Sequence, residues 1–193
     1  MTVDVARLPR RTLKAGTMLH RVHRADRDPW FFDRSPHGRF NPTATPDRGA
    51  CYWAEKPIGA WIESFRSLLT LTEEDLAGRA LATLTLTGDL VVSDLTVKRA
   101  LAAGVTASIT AGADYVPPQA LADALQAVTD GIRWRLRHDL SQRLVGVALF
   151  GQPGRDAAAR SRGRARTSTG PIPQSVREEA TRLFGYRVLP TPV

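Results

Sequence analysis

Residues 50–69 read Ala-Cys-Tyr-Trp-Ala-Glu-Lys-Pro-Ile-Gly-Ala-Trp-Ile-Glu-Ser-Phe-Arg-Ser-Leu-Leu. The first five residues are apolar enough to predict a short buried strand, and Pro57 suits the first turn of a helix that runs to about Leu69. That helix carries an apolar stripe at helical spacing, made of Ile58, Ile62, Phe65 and Leu69. Glu63 lies beside this stripe and not on the core face, so its carboxylate needs an explanation of its own.

Further strands and helices are predicted on both sides of this unit. On the N-terminal side we expect a strand over 17–24 and then a long loop over 28–49, rich in proline and glycine. On the C-terminal side strands are predicted at 81–86, 90–92, 131–135, 144–150 and 186–189. Helices are predicted at 96–103, 117–128 and 176–184. The last helix starts in a capping box of Ser175 and Glu178 and ends at Gly185, and the whole pattern predicts an α+β fold.

The composition is that of one ordinary soluble globular domain. The chain has 193 residues, of which 42% are hydrophobic and 24% charged, and no linker-like stretch divides it, so we expect a single domain over 1–193. No apolar run approaches the roughly 20 residues needed to cross a bilayer, and residues 1–11 lack an apolar stretch of signal-peptide length. We therefore expect a cytoplasmic protein with no membrane partner.

Cysteine and histidine are scarce, whereas positive charge is abundant. The single Cys51 excludes an intramolecular disulfide, and with only four histidines in the chain we expect no metal site. Lys and Arg together number 27 against 19 Asp and Glu, a net charge of +8. This excess favours a phosphate-bearing partner, either nucleic acid or a small anionic nucleotide, and does not choose between them.

Half of the charge excess lies in one segment near the C-terminus. Residues 151–170 contain five arginines and one aspartate, with small residues between Arg160, Arg162, Arg164 and Arg166. Because the segment is poor in apolar residues, we predict a flexible, solvated arginine-rich loop over about 152–170 and no nucleic-acid partner. The alternative is a basic module in which these arginines bind nucleic acid or an acidic protein without chemistry.

Common catalytic motifs are absent from the sequence. It contains no G-x-x-x-x-G-K-[ST] or G-x-G-x-x-G phosphate loop, no G-x-S-x-G nucleophile elbow and no H-E-x-x-H metal motif. ATP-type phosphate binding is therefore not expected. Instead, arginine, aromatic and carboxylate residues come from separate elements of the N-terminal half: Leu19-His20-Arg21-Val22-His23-Arg24, Gly38-Arg39-Phe40-Asn41-Pro42, Tyr52-Trp53-Ala54 and Glu63.

These residues resemble the RES domain family, which is named for an arginine, a glutamate and a serine that recur in it. Residues 19–22 resemble the family's strand in which an apolar residue precedes the arginine. Residues 38–42 resemble its Gly-Arg-[Phe/Trp]-Asn-Pro loop. Its Tyr-x-Ala strand and Ala-x-x-Glu helix are similar to 52–54 and 60–63. Later stretches match in order and spacing, so that the resemblance covers about residues 17–189: Asp114-Tyr115, Gly131-Ile132-Arg133-Trp134, Arg137-His138-Asp139 and Ala148-Leu149-Phe150.

The resemblance implies an NAD-consuming protein whose core is similar to that of ADP-ribosyltransferase toxins. Members of the family are commonly the toxin half of a toxin–antitoxin pair, which implies a cognate antitoxin that occludes the site. Some members degrade NAD by hydrolysis or phosphorolysis, and others transfer ADP-ribose to a protein. NAD is then the substrate, and the acceptor is water, phosphate or a protein.

The resemblance also implies roles for four residues. Arg21 and Arg39 offer planar, permanently charged donors for the pyrophosphate of NAD. Glu63 stabilises the positive charge that builds on the ribose as its bond to nicotinamide breaks, a contact worth on the order of 3 kcal/mol. Tyr52 stacks on the nicotinamide ring or holds a ribose hydroxyl. The expected catalytic residues are Glu63, Arg21 and Tyr52, and the expected NAD-binding residues are Arg21, Arg39 and Tyr52.

Each of these residues also has an ordinary structural interpretation. Charged side chains are mostly solvated or paired at the surface, which would account for Arg21 and Glu63. An aromatic residue in an apolar strand commonly fills a core, as Tyr52 would, and an arginine in a turn can stabilise the loop, as Arg39 would.

One departure from the family pattern bears on activity. Leu136 stands at the position of the family's serine, in the stretch Gly131-Ile132-Arg133-Trp134-Arg135-Leu136-Arg137. A leucine side chain neither donates nor accepts a hydrogen bond. Either Ser141 replaces the lost contact, or the activity is weakened.

Overall fold

The computed structural model describes residues 3–66, 68–154 and 164–191. Its strands are β1 (Arg10–Leu13), β2 (Met18–Arg24), β3 (Gly49–Ala54), β4 (Thr70–Thr72), β5 (Arg79–Leu86), β6 (Leu90–Asp94), β7 (Gly131–Arg135), β8 (Val145–Gly151), β9 (Ala165–Gly170) and β10 (Arg187–Leu189). Its helices are α1 (Pro57–Phe65), α2 (Glu73–Ala77), α3 (Arg99–Ala102), α4 (Ala107–Thr110), α5 (Val116–Leu125) and α6 (Gln174–Phe184). Within these ranges no helix has the length and apolar character needed to cross a membrane.

Eight strands form one sheet in the order β1-β6-β7-β8-β3-β2-β5-β9, and β10 and β4 form a separate parallel pair. Within the large sheet, β6 and β7 are parallel, whereas the other neighbours are antiparallel. Sheet and helices together confirm the predicted α+β class, and each predicted strand is present.

The two faces of the sheet are covered by two hydrophobic clusters. One cluster joins the sheet to α1, α5 and α6 around Trp61, and the other lies on the opposite face around Trp30 and Trp53. Because side chains alternate along a strand, Tyr52 of β3 lies on the side of α1, whereas Cys51 and Trp53 lie on the other. Tyr52 and Glu63 therefore share one side of the sheet.

The sheet is open along most of the boundary between β2 and β3. These strands pair at His20 and Ala54, whereas β2 pairs with β5 from Met18 to Arg24 and β3 pairs with β8 from Gly49 to Gly151. Beyond that contact the two halves of the sheet separate. The opening lies next to Arg21.

The structure corrects several predicted helix ends. Helix α3 begins at Arg99 and not at 96, and α5 ends at Leu125 and not at 128. Helix α1 ends at Phe65 and does not continue to Leu69, because Arg66 takes φ 50° and ψ −117°, far from helical values. Helix α6 begins at Gln174, so Ser175 lies inside its first turn and the predicted capping box is wrong. Instead, the Gln174 side chain donates to the Glu178 carboxylate at 3.2 Å.

Part of the predicted arginine-rich loop is a strand. Residues 165–170 form β9 on the edge of the sheet, paired with β5, and the Trp30 indole donates to Thr167 Oγ1 at 2.7 Å. Backbone pairing, this contact and the burial of Ala165 in the cluster around Trp30 and Trp53 order a segment that has no other apolar residue. Arg164 forms an ion pair with Asp130 at 3.1 Å. Arg160 and Arg162 lie outside the described residues.

Candidate active site

A cavity of about 180 Å³ lies at the opening between β2 and β3, below α1 and the loop that precedes β3. All four predicted site residues border it: Arg21, Arg39, Tyr52 and Glu63. Residues without a predicted role border it as well: Arg66, Tyr115, Trp134, Arg137 and His138. A larger cavity of about 340 Å³, between Trp30 and Arg164, contains none of the predicted residues. The fold therefore collects the four predicted residues around one space.

Glu63 is the carboxylate of this cavity. Its side chain is half-buried, and among the described residues no hydrogen-bond donor or ion-pair partner contacts its carboxylate. Burial raises the pKa of Glu63, and the positive charges of Arg66, Arg137 and Arg39 oppose that rise. The cavity thus contains a desolvated carboxylate whose oxygens remain free for a ligand.

Arg39 is anchored by backbone carbonyls and an aromatic ring. Its guanidinium donates to Ile109 O at 3.3 Å and Gly112 O at 2.7 Å, and its Cζ lies 4.6 Å from the centre of the Tyr115 ring. Burial lowers the pKa of Arg39, although an arginine remains protonated at neutral pH. Arg39 therefore presents a buried positive charge at a defined position.

The loop that carries Arg39 is held by a dense set of hydrogen bonds. The buried Asn41 side chain donates to Asp33 Oδ2 at 2.9 Å and to Ser35 O at 2.8 Å. A Cβ atom on Gly38 would lie 2.4 Å from Asn41 Oδ1, so only glycine fits there. This packing gives the physical reason for the Gly-Arg-Phe-Asn-Pro pattern, since glycine leaves the room that asparagine occupies.

Tyr52 connects this loop to the cavity. Its hydroxyl donates to Asn41 Oδ1 and accepts from Phe40 N–H, both at 2.8 Å, and burial raises the pKa of Tyr52. Its ring packs edge-on against Trp134, with 5.9 Å between centres. Since the hydroxyl has already donated its one proton, the ring is the part of Tyr52 that remains for a ligand.

Arginine charge dominates the cavity. Arg21, Arg39, Arg66 and Arg137 border it with Glu63 as the carboxylate, and within the described ranges none of the four forms an ion pair. The Arg21 guanidinium instead contacts Cys51 Sγ at 2.7 Å. An excess of three positive charges in a partly closed site favours a ligand with more than one negative charge.

Comparison with known protein families gives a match over most of the chain. The model of the RES domain family matches residues 18–171. The chain belongs to the RES domain family.

A solved structure supports the fold assignment of this RES domain. In the crystal structure of the M. tuberculosis MbcT–MbcA toxin–antitoxin complex, one chain is 22% identical and superposes with a TM-score of 0.65. The match covers 87% of this chain and 90% of that chain. No curated protein matches the sequence. The structural match confirms the predicted fold.

The position of the family's serine is part of the core in this RES domain. Leu136 is fully buried and packs beneath Gly59 and Gly146, where an added Cβ would lie 3.2 and 2.7 Å from its methyl groups. The Ser141 hydroxyl donates to Asp139 Oδ1 at 2.5 Å. Ser141 does not border the cavity, so in this structure it does not replace the family's serine.

Several residues that border the cavity were given no role from the sequence. Tyr115 and Arg137 lie in stretches that match the RES pattern, and Arg137 Cζ is 6.0 Å from the Tyr115 ring on which Arg39 also packs. Arg137 Nε lies 3.2 Å from His138 Nε2, and burial together with three arginines lowers the pKa of His138. His138 is therefore neutral at physiological pH. No local sequence pattern indicated a role for Arg66.

Proposed function

We propose that this RES domain is a toxin that binds NAD and cleaves its nicotinamide–ribose bond, by hydrolysis or phosphorolysis, and so depletes cellular NAD. The observation that carries the proposal is the cavity itself. It combines a desolvated Glu63 with four arginines that form no ion pair with any described residue, in a chain that matches the RES family.

Binding would use the positive charge of the cavity. The pyrophosphate of NAD carries two negative charges, and guanidinium groups offer it charge-assisted, multi-donor contacts. Arg21 and Arg39 are the proposed pyrophosphate-binding residues. A volume of about 180 Å³ is smaller than a typical site for a whole drug-sized ligand. The nicotinamide and its ribose would therefore enter the cavity, while the rest of NAD extends from its mouth.

Cleavage would use Glu63 and Tyr52. As the bond from ribose C1′ to the nicotinamide nitrogen breaks, its electron pair leaves with nicotinamide, and positive charge develops on the ribose. Glu63 would stabilise that charge directly or through the ribose hydroxyls, and the Tyr52 ring would pack on nicotinamide. Water or phosphate then adds to C1′, giving ADP-ribose or its 1-phosphate and releasing nicotinamide.

An enzyme that destroys NAD would harm the cell that makes it. We therefore propose a cognate antitoxin as partner, a protein that covers the cavity, and a cytoplasmic site of action where NAD is found. The solved neighbour is a toxin bound to its antitoxin, which supports this partner class.

The decisive experiment is to measure NAD loss and nicotinamide release by the purified protein, with and without phosphate. Wild type should release nicotinamide, and Glu63→Gln should slow release about a hundredfold or more, because a preorganised charge at the transition state is lost. Glu74→Gln on the exposed face of α2 is the matched control and should retain full activity. If wild type neither binds nor cleaves NAD, the proposal is wrong.

Transfer of ADP-ribose to a protein is the second candidate. An apolar groove adjoins the cavity at Arg66 and His138 and includes Leu140, whose exposed fraction is 93%. Such a surface beside the site suits a protein acceptor. Labelled NAD in cell extract separates the two functions, since only transfer leaves label on a protein.

A nucleic-acid module without chemistry is the remaining alternative. Of the arginines that motivate it, Arg164 is paired with Asp130. Binding that falls steeply with salt and disappears on deletion of residues 155–168 would favour this alternative.

A further inference from the structure

Arg66, the residue that follows α1, has an unusual backbone conformation. Its φ of 50° and ψ of −117° lie in a region that side-chain-bearing residues rarely adopt, and glycine is the usual residue at positive φ. The end of α6 shows the common solution, because Gly185 takes φ 73° there. The chain thus uses an arginine where a glycine would be less strained.

Two hydrogen bonds hold this conformation. The Arg66 N–H donates to Ile62 O at 2.8 Å and closes α1, and the Tyr186 hydroxyl donates to Arg66 O at 2.5 Å. Tyr186 is itself buried and packs edge-on against Trp61 of α1, with 5.6 Å between ring centres. The strained residue is therefore fixed from the core.

The side chain of Arg66 borders the cavity beside Glu63. Its guanidinium donates from Nε to the Glu63 backbone carbonyl at 3.4 Å, and no carboxylate within the described residues forms an ion pair with it. Among the arginines around Glu63, it acts most strongly on the pKa of that carboxyl. Strained residues persist where the surrounding structure enforces them, and they cluster at ligand sites.

We propose that Arg66 is a further substrate-binding residue, whose guanidinium contacts an anionic group of phosphate chemistry beside Glu63. The backbone strain is retained because it directs this side chain to the cavity. The inference rests on the proposed function, since it names a second part of the same substrate contact. Arg66 is distinct from Arg21 and Arg39, which come from other elements.

The test compares Arg66→Gly, Arg66→Ala and Arg66→Lys in the full chain. Calorimetry with ADP-ribose, which has both phosphates and no nicotinamide bond to cleave, measures anion binding, and adenosine is the neutral control ligand. Loss of a hydrogen bond to a charged group should weaken ADP-ribose binding about tenfold or more in the Gly and Ala variants. The Lys variant should recover part of the loss, and adenosine binding should not change.

Thermal unfolding separates the effect of backbone strain at Arg66 from the effect of its side chain on binding. Because glycine relieves the positive φ and alanine does not, Tm of Arg66→Gly should exceed that of Arg66→Ala by about 2–4 °C. Gln142 is the matched control, since it also has positive φ, 56°, and does not border the cavity. Gln142→Gly and Gln142→Ala should leave ADP-ribose binding unchanged.

The outcomes are distinguishable. If wild type binds ADP-ribose and the Gly and Ala variants bind it equally well, the Arg66 proposal is overturned while the proposed function stands. If wild type binds neither ADP-ribose nor NAD, the proposed function fails and Arg66 has no substrate to contact. If Arg66→Ala is as stable as Arg66→Gly, the strain argument is wrong.

Discussion

Two arginines of this protein are equally buried and differ in what surrounds them. Arg39 and Arg133 have exposed fractions of 7% and 8%. Arg133 donates to both oxygens of Glu55, at 2.6 and 3.1 Å, and to Asp94 at 3.1 and 3.2 Å. Arg39 contacts carbonyls and an aromatic ring, and within the described residues no carboxylate pairs with it.

The pKa values of the two arginines are shifted in opposite directions. Burial alone would lower the pKa of Arg133, but Glu55 and Asp94 outweigh it and the pKa is raised. Burial lowers the pKa of Arg39, and no ion pair with a described residue compensates for this effect. An arginine that stabilises the fold has its counter-ions within the fold, whereas one that binds an anion leaves its charge unneutralised.

The largest effect is expected from Arg133. Arg133→Met leaves Asp94 buried without its counter-ion, and we expect a loss of about 3–5 kcal/mol in the free energy of unfolding. Urea unfolding followed by circular dichroism measures it. Arg24→Met breaks an exposed, solvent-screened ion pair with Asp26 and should leave the free energy of unfolding almost unchanged. Equal losses in the two variants would contradict the structural role of Arg133.

A substitution of Arg39 should affect NAD binding strongly and should lower the free energy of unfolding less than a substitution of Arg133. Arg39→Met removes hydrogen bonds to two carbonyls but no ion pair, so we expect a loss of stability of about 1–3 kcal/mol. NAD binding should weaken by about tenfold to a hundredfold, since a charge-assisted contact is lost. Unfolding and NAD titration are compared on the same samples. Unchanged NAD binding would assign Arg39 to the structure alone.

Tyr115 sharpens the comparison because the guanidinium groups of Arg39 and Arg137 both lie near its ring, 4.6 and 6.0 Å from the ring centre. Tyr115→Leu removes cation–π contacts worth about 0.5–2 kcal/mol, so KM for NAD should rise by a few-fold to about thirtyfold. Tyr115→Phe retains the ring and should recover most of the affinity. If Tyr115→Phe bound NAD as weakly as Tyr115→Leu, the hydroxyl and not the ring would account for the contribution of Tyr115.

The smallest expected effect is a dependence of stability on acid pH. Burial alone would raise the pKa of Asp94. Hydrogen bonds from Thr96 and the charge of Arg133 lower it by more than burial raises it, so the folded-state pKa is below the ordinary 3.8. Its stabilising contribution is therefore present above about pH 4 and is lost as pH falls through the folded-state value. Tm measured from pH 6 to pH 2.5 should fall more steeply in wild type than in Asp94→Asn. Parallel curves would exclude this contribution.

Local patterns predicted the strands better than the helix ends. The strand over 144–150 is recognisable from its continuous apolar run, and Gly185 marks the end of α6 because glycine adopts positive φ without strain. The end of α1 was not predictable, since an arginine there gives no such signal. Strand β9 was missed because its order comes from pairing with β5, a strand distant in sequence.

The sequence by itself determined the family pattern and the α+β class, and it predicted Arg21, Arg39, Tyr52 and Glu63 as candidate site residues, because short motifs and apolar periodicity are local properties. The tertiary structure alone decided that Arg66, Tyr115 and Arg137 border the same cavity. It also decided which buried arginine has its charge neutralised. Arg133 forms ion pairs with Asp94 and Glu55, which are 39 and 78 residues away in the sequence. Electrostatic energy depends on distance in space, and a local pattern contains no information about which distant charge the fold brings near.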